Sequence, residues 1–387
     1  MNVVISIYGR FHAFYLAEQL QKRGQLKALI TSYPKFETSK YRVAAEGVRS
    51  LFPYEIVRRV LRRIPPRLRP ASVNELMLAK VFDRHVASML SRDVDVFIGW
   101  SGGSLHSIRR ARKLGIPTVV VRGSTHIEFQ RRIMEEEYAR WGIKIAPVDP
   151  EVVARELQEY EETDYIYNQR DFVRRTFMDA GVPAKKLFVV HPGVDASNFV
   201  RLEKQDDVFR VIFCGALSFR KGLPYLLHAF CELDLPNSEL WLIGGATGET
   251  AQLLRQYSSP RVHLKGTVKE NRLKELYSQG SVMCCPSIEE GLAMVQAQGM
   301  ACELPLICTE NAGGDVFVRE GVDGFVVPIR DVDALKARIL TLYEDQERCR
   351  EMGREARWRI VDRFTWDHYG DGISRALSRI AAGEPPQ

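Results

Sequence analysis

The stretch PSIEEGLAMVQAQGMACELPLICT, residues 286–309, reads as a strand end, a Glu-Gly loop, a helix and a second short strand. Gly291 supplies a turn without hindrance from a β-carbon, and the backbone N–H groups of Ala293 and Met294 open the helix. The positive end of such a helix attracts phosphate. Glu290, directly before the turn, directs a carboxylate at the same space. A carboxylate beside an anion site serves a ligand that also presents hydroxyl groups, and a nucleotide sugar presents both.

Working outward, short β-rich runs alternate with amphipathic stretches, the pattern of parallel sheets flanked by helices. In the first half the strands are expected at 3–7, 26–30, 94–99, 118–122 and 165–168. In the second half they are expected at 210–214, 239–243, 262–264, 282–285, 306–308 and 325–327. Sheets of this kind bind ligands at the carboxyl ends of their strands. The Pro-Gly of HPGVDASNF, residues 191–199, interrupts the alternation and marks a boundary.

Taken with these elements, residues 286–309 resemble the signature of the family 4 retaining glycosyltransferases of the GT-B fold. That pattern runs Glu-Gly-Phe-Gly, then a helix carrying a second Glu eight positions after the first. The resemblance implies an α/β chain of two Rossmann-like domains, with parallel sheets facing across a cleft and a last helix crossing back to the first domain. It places the acceptor-side domain at 1–192 with the helix 365–387, and the nucleotide-sugar domain at 193–364. It implies that Glu290 holds hydroxyls of the donor sugar, with the backbone of Gly291, Leu292, Ala293 and Met294 at the donor. The second family Glu, which grips both ribose hydroxyls, is here Gln298. An amide offers one acceptor oxygen where a carboxylate offers two, and one weakened hydrogen bond of this kind costs about 1–3 kcal/mol. Weaker or altered nucleotide binding is therefore expected.

The stretch FCGALSFRKGLPYLLHAF, residues 213–230, resembles the family's Gly-Arg-Leu-x-x-x-Lys-Gly loop, which holds the donor diphosphate. Gly215 matches its first glycine and Lys221 its lysine, while Ala216 stands where the family has arginine. Arg220 can supply the missing charge. A basic pair is disfavoured at the positive start of a helix unless an anion joins it. WLIGG, residues 241–245, brings Gly244 to a strand end where backbone approaches a ligand. YGRFHAF, residues 8–14, resembles the loop that closes over the donor phosphate, with Gly9 and Arg10 as its candidates. RGSTH, residues 122–126, places His126 past a strand, where the family has a histidine contacting sugar or acceptor.

Composition sets outer limits on function. The chain has 387 residues, 45% hydrophobic and 27% charged, enough for two full cores. No run of about 18 apolar residues marks a membrane span. MNVVISIYG enters a strand directly, so secretion is not expected. All seven cysteines lie between Cys214 and Cys349 without zinc spacing, which points to a reduced, cytoplasmic setting. Of the net charge of +6, residues 40–70 carry nine cations against Glu46 and Glu55, a net +7 that leaves the rest near −1. Leu51, Phe52, Tyr54, Ile56, Val57, Val60, Leu61 and Ile64 interleave with the arginines, and Pro65-Pro66 stop the helix. Two readings stay open: a basic amphipathic helix on anionic lipid at the inner face of the cell membrane, where each basic residue adds about 1 kcal/mol, or a solvated arginine face. Nucleic acid is not an expected partner, since no reader motif is present.

The resemblance implies transfer of a UDP- or GDP-linked sugar to an acceptor hydroxyl with retention, in polysaccharide, lipopolysaccharide or glycolipid assembly. The acceptor is a carbohydrate or a lipid-linked carbohydrate, and no metal or other cofactor is implied. Adjacent Glu289 and Glu290 cannot flank a sugar ring as glycosidase carboxylates do. Lys221, Arg220 and helix-end amides then carry the charge of the leaving diphosphate. Two alternatives are a non-catalytic sugar-nucleotide-binding or scaffold protein of the same fold, favoured if Ala216 and Gln298 disable the donor site, and a sugar-nucleotide epimerase.

Overall fold

The computed structural model describes residues 1–64 and 74–386. The Pro65-Pro66 helix stop and the basic residues Arg67 and Arg69 lie outside the described residues. The chain forms two compact units, one from Met1–Glu128, Val148–Val190 and the segment from Trp366 onward, the other from Phe129–Pro147 and His191–Thr365.

The first unit is built on β1 (Val3–Ile7), β2 (Leu26–Thr31), β3 (Val48–Ser50), β4 (Val96–Trp100), β5 (Thr118–Val121), β6 (Tyr165–Asn168) and β7 (Leu187–Val189). All pair in parallel, in the order β3-β2-β1-β4-β5-β6-β7. Runs such as VVISI are buried from end to end because helices cover both faces of the sheet. The outermost strands β3 and β7 were not expected from the sequence. Each has three residues, and β3 falls inside the basic stretch with Arg49 exposed, so neither carries a long apolar run.

The second unit holds β8 (Phe209–Cys214), β9 (Ser238–Ile243), β10 (Val262–Gly266), β11 (Val282–Cys285), β12 (Leu306–Thr309) and β13 (Gly324–Val327). They too are parallel, in the order β10-β9-β8-β11-β12-β13. Each sheet reverses direction of winding once, at β1/β4 and at β8/β11, and a crevice for ligand opens at the carboxyl ends of such a pair.

Two helices depart from simple βα succession. Trp366–Ala381 packs Tyr369, Ile373, Ala376, Leu377 and Ile380 into the first unit's core beside Phe14, Ala17 and Leu20. Trp366 stacks on Tyr15 with ring centroids 4.0 Å apart, and Arg23 pairs with Asp371 at 2.6 Å. The helix Ile127–Arg140, which the sequence reading places in the first domain, groups with the second unit from Phe129 on. Buried Glu137 explains this, because it accepts from the Tyr225 hydroxyl at 2.8 Å and from Arg330 Nε at 2.8 Å.

Among the described residues no helix is long and apolar enough to cross a membrane, and no group of three or more His, Cys, Asp or Glu side chains is placed to hold a metal. All seven cysteines are thiols. Because Leu377 is fully buried, Leu377→Ala is expected to lower stability by about 2–5 kcal/mol, read from the midpoint of urea unfolding.

Candidate functional site

In the second unit the loop after β8 and the loop after β11 flank the β8/β11 reversal, and four charged side chains join them. The Lys221 ammonium pairs with Glu290. Arg220 Nε donates to Glu289 Oε2 at 2.7 Å, and its Nη2 lies 3.6 Å from Glu290 Oε1. The Arg220 carbonyl accepts the Ile288 N–H at 2.9 Å, which ties the two loops through backbone as well.

Local sequence chemistry explains why the loops can meet. Gly222 has φ +69, and a β-carbon there would overlap the Pro286 carbonyl, so only glycine lets the start of the helix Leu223–Leu233 approach the β11 loop. Gly244, with φ +151, sits against the Gly215 carbonyl in the same way, and a β-carbon on Gly215 would lie 3.8 Å from Lys221 Cε. Behind the acidic loop, Asn311 Nδ2 donates to the Ile288 carbonyl at 2.9 Å and the Thr309 hydroxyl to the Ser287 carbonyl at 2.5 Å. Fully buried Glu289 also accepts from Gln130 Nε2 at 3.0 Å. It is therefore the fixed anchor of Arg220, while Glu290, 8% exposed, stands at the surface of the crevice.

Beyond Gly291 and Leu292 the chain enters the helix Met294–Ala301 with Ala293 at its N-cap and no side chain capping it. Leu292 belongs to the hydrophobic core, so only its backbone is available to a ligand. Gln298 lies on the same helix, 7% exposed, with Nε2 donating to Glu270 Oε1 at 3.3 Å. Burial, then the adjacent Arg220 guanidinium, lower the Lys221 ammonium to about 8 against the pull of nearby Glu289. The arrangement sets two cations and two carboxylates beside a helix start without a side-chain cap, able to take a phosphate-bearing ligand that also carries hydroxyl groups if the ligand displaces a carboxylate from a cation.

The remaining residues expected from the sequence lie in the first unit. The Gly9 N–H donates to the Ser32 hydroxyl at 3.1 Å and its carbonyl accepts from Thr31 at 3.0 Å, so this glycine spends its backbone groups on the loop itself. Arg10 is exposed, with its guanidinium over the Tyr41 ring at 5.8 Å. His126, expected to contact sugar or acceptor, is instead enclosed, 2% exposed between Tyr160 and Phe177. Its Nδ1 accepts the Glu128 N–H at 3.3 Å, and burial, then the Arg122 charge, push the imidazole down to about 4. That geometry makes it a neutral helix-start residue, and a strand-end position alone could not reveal it.

A cavity of about 230 Å³ opens at the β1/β4 reversal, lined by Tyr8, Phe11, Trp100, Gly102, Gly103 and Glu156 among others. The adjacent helix Leu105–Lys113 is closed to anions by protein carboxylates. Glu159 accepts from the N–H groups of Gly102, Ser104 and Leu105, and Asp83 from those of His106 and Ser107. Arg155 bridges Asp83 and Glu159, and burial pushes the Glu159 carboxyl up to about 8. The sequence offered no sign of this network, of Gln130 beside Glu289, or of Glu270 beside Gln298, because each joins segments 23 or more residues apart.

Residues 195–359 match the family described as glycosyl transferases group 1. Among curated relatives, the alpha-maltose-1-phosphate synthase of Mycolicibacterium smegmatis is 26% identical over 52% of this chain and 56% of its own length. The GDP-mannose-dependent alpha-(1-6)-phosphatidylinositol monomannoside mannosyltransferase of the same organism is 27% identical over 54% of this chain and 60% of its own. The chain thus spans a little over half the length of these relatives. Among solved structures, Anabaena HepE in complex with UDP superposes with a TM-score of 0.71 at 15% identity, covering 98% of this chain and 100% of that one. Sucrose-phosphate synthase from Thermosynechococcus elongatus gives 0.71 at 16% identity, covering 99% and 100%. With two Rossmann-like parallel sheets and these superpositions the chain has the GT-B fold, and residues 195–359 of its second unit are similar to glycosyl transferases group 1.

Proposed function

We propose that the protein transfers a sugar from a nucleotide-diphosphate sugar to an acceptor hydroxyl, with retention at the anomeric carbon, in polysaccharide, lipopolysaccharide or glycolipid assembly. The observation that carries this reading is the meeting of Lys221 and Glu290 at the β8/β11 crevice, beside the uncapped start of the helix Met294–Ala301. The UDP held by the structural neighbour and the sugar transfer named in the mannosyltransferase relative support it. It is favoured over a scaffold or epimerase role because Arg220 stands at the pocket where Ala216 leaves a charge missing.

In this reading the Lys221–Glu290 pair exchanges partners when donor enters. Lys221 turns to the diphosphate, Arg220 stays on Glu289 and adds its charge from the side, and Glu290 accepts from hydroxyls of the donor sugar. The bond from the anomeric carbon to the diphosphate oxygen breaks, and the acceptor oxygen bonds to that carbon on the same face. The acceptor proton passes to the departing phosphate. Charge on the leaving group is balanced by Lys221, Arg220 and the helix-start amides without calling on a metal.

The acceptor is assigned to the first-unit cavity. Tyr8, Phe11 and Trp100 give it apolar faces suited to a sugar ring, and the Trp100 indole N–H has no hydrogen-bond partner among the described residues. The helix Pro53–Arg63 is close to it, with the Arg58 guanidinium 5.6 Å from the centre of the Tyr8 ring. Phe52, Ile56, Val57 and Val60 are exposed on and beside this helix, at 42–52%. This supports the membrane reading, in which the chain acts from the cytoplasmic face on a lipid-linked acceptor.

Three outcomes test the reading. Calorimetry against UDP, GDP, ADP and their sugars should find one base that binds, with at least tenfold weaker binding in Lys221→Met and, for the sugar-bearing donor, in Glu290→Gln. The Lys221 ammonium, lowered to about 8, is charged below that pH and neutral above it, so affinity for the diphosphate should fall as pH rises from 7 to 9.5 and be flat in Lys221→Met. Flotation with phosphatidylglycerol-containing vesicles should recover wild type but not Ile56→Glu/Val60→Glu, and phosphatidylcholine alone should recover neither.

A further inference from the structure

The helix Met294–Ala301 presents Gln298 one turn after Met294, so the two positions share a face about 6 Å apart along the axis. A ligand whose phosphates sit at the helix start therefore places its next chemical group beside Gln298. That side chain is 7% exposed, and its Nε2 is spent on Glu270 Oε1 at 3.3 Å. The amide oxygen Oε1 is left buried with no hydrogen-bond partner. Glu270 begins the single turn Glu270–Arg272 that follows β10, at the carboxyl edge of the sheet, where ligands bind. Position 298 thus shows a buried acceptor oxygen oriented by a carboxylate that is itself an acceptor. Phosphate is repelled from such a pair, whereas two neighbouring hydroxyl donors satisfy it.

We propose that Glu270 and Gln298 together receive the ribose hydroxyls of the nucleoside diphosphate, Glu270 supplying from a different segment the carboxylate that position 298 lacks. This rests on the nucleotide-sugar reading given above and assigns Glu270 a specificity-determining part in it. It also accounts for the amide at 298. A glutamate there would set two carboxylates about 3.3 Å apart, and like charges at that distance hold one of them protonated. The charge has moved from the helix to the turn, and the amide serves as its orienting donor.

The test is calorimetry with the nucleoside diphosphate that binds best among UDP, GDP and ADP, beside its 2′-deoxy counterpart. The proteins are wild type, Glu270→Gln, Gln298→Glu and the exchange variant carrying both, each with its circular dichroism compared with wild type. Wild type is expected to prefer the ribonucleotide by about tenfold or more, the effect of one charge-assisted hydrogen bond. Glu270→Gln should lose most of that preference with its affinity for the deoxynucleotide unchanged. Gln298→Glu alone should weaken the ribonucleotide, and the exchange variant should restore the preference. A wild-type ratio of ribo- to deoxynucleotide affinity in Glu270→Gln overturns the proposal while leaving the nucleotide reading intact. Failure of folded wild type to bind any of the three diphosphates overturns that reading and this assignment with it.

Discussion

The ion pairs between the loops after β8 and β11 are the constraint on which the site depends. A parallel sheet brings the carboxyl ends of its strands to one edge, but it does not decide how the loops beyond them are shaped. Here Arg220–Glu289 is a fixed tie, with one partner fully buried and the other held through its backbone to Ile288. Lys221–Glu290 is the second half of the same clasp, with both side chains largely buried. A buried cation without a partner is costly, and the Glu290 carboxylate is the partner of the Lys221 ammonium. The contact that partners Lys221 is therefore the one the proposed donor must open.

The two units treat their helix starts in opposite ways. In the first unit Asp83 and Glu159 take up the N–H groups of the helix Leu105–Lys113, with Arg155 between them, and leave no room for an anionic ligand. In the second unit no side chain caps the helix Met294–Ala301, and the loop before it carries the Glu289 and Glu290 carboxylates paired with Arg220 and Lys221. The same supersecondary unit thus has its helix start closed by carboxylates in one case and left without a side-chain cap in the other. This difference in chemistry is the ground for proposing the donor site in the second unit and the acceptor site in the first.

Much of this was legible in the sequence where the signal was local. The parallel strands could be located because helices on both faces make them continuous apolar runs, and Glu290, Lys221 and the opening of the helix at Ala293 stand in contiguous motifs. What could not be read joins distant segments. The sequence shows Glu289 only as the neighbour of Glu290, and not that Arg220 and Gln130 converge on it. Gln298 reads in the sequence as a weakened contact, and nothing there shows the Glu270 carboxylate 3.3 Å from its amide. His126 misled because a position just past a strand fits both a ligand contact and a buried helix start, and only the enclosing rings of Tyr160 and Phe177 separate the two. The three-residue edge strands β3 and β7 are too short for periodicity to show.

The most direct measurement is a crystal structure of the protein with its preferred nucleoside diphosphate bound. The account predicts the phosphates within hydrogen-bond distance of Lys221 Nζ and of the Ala293 and Met294 amides, the Lys221–Glu290 pair parted, and Arg220 still on Glu289. A diphosphate bound elsewhere, or bound with the Lys221–Glu290 pair intact, would contradict it.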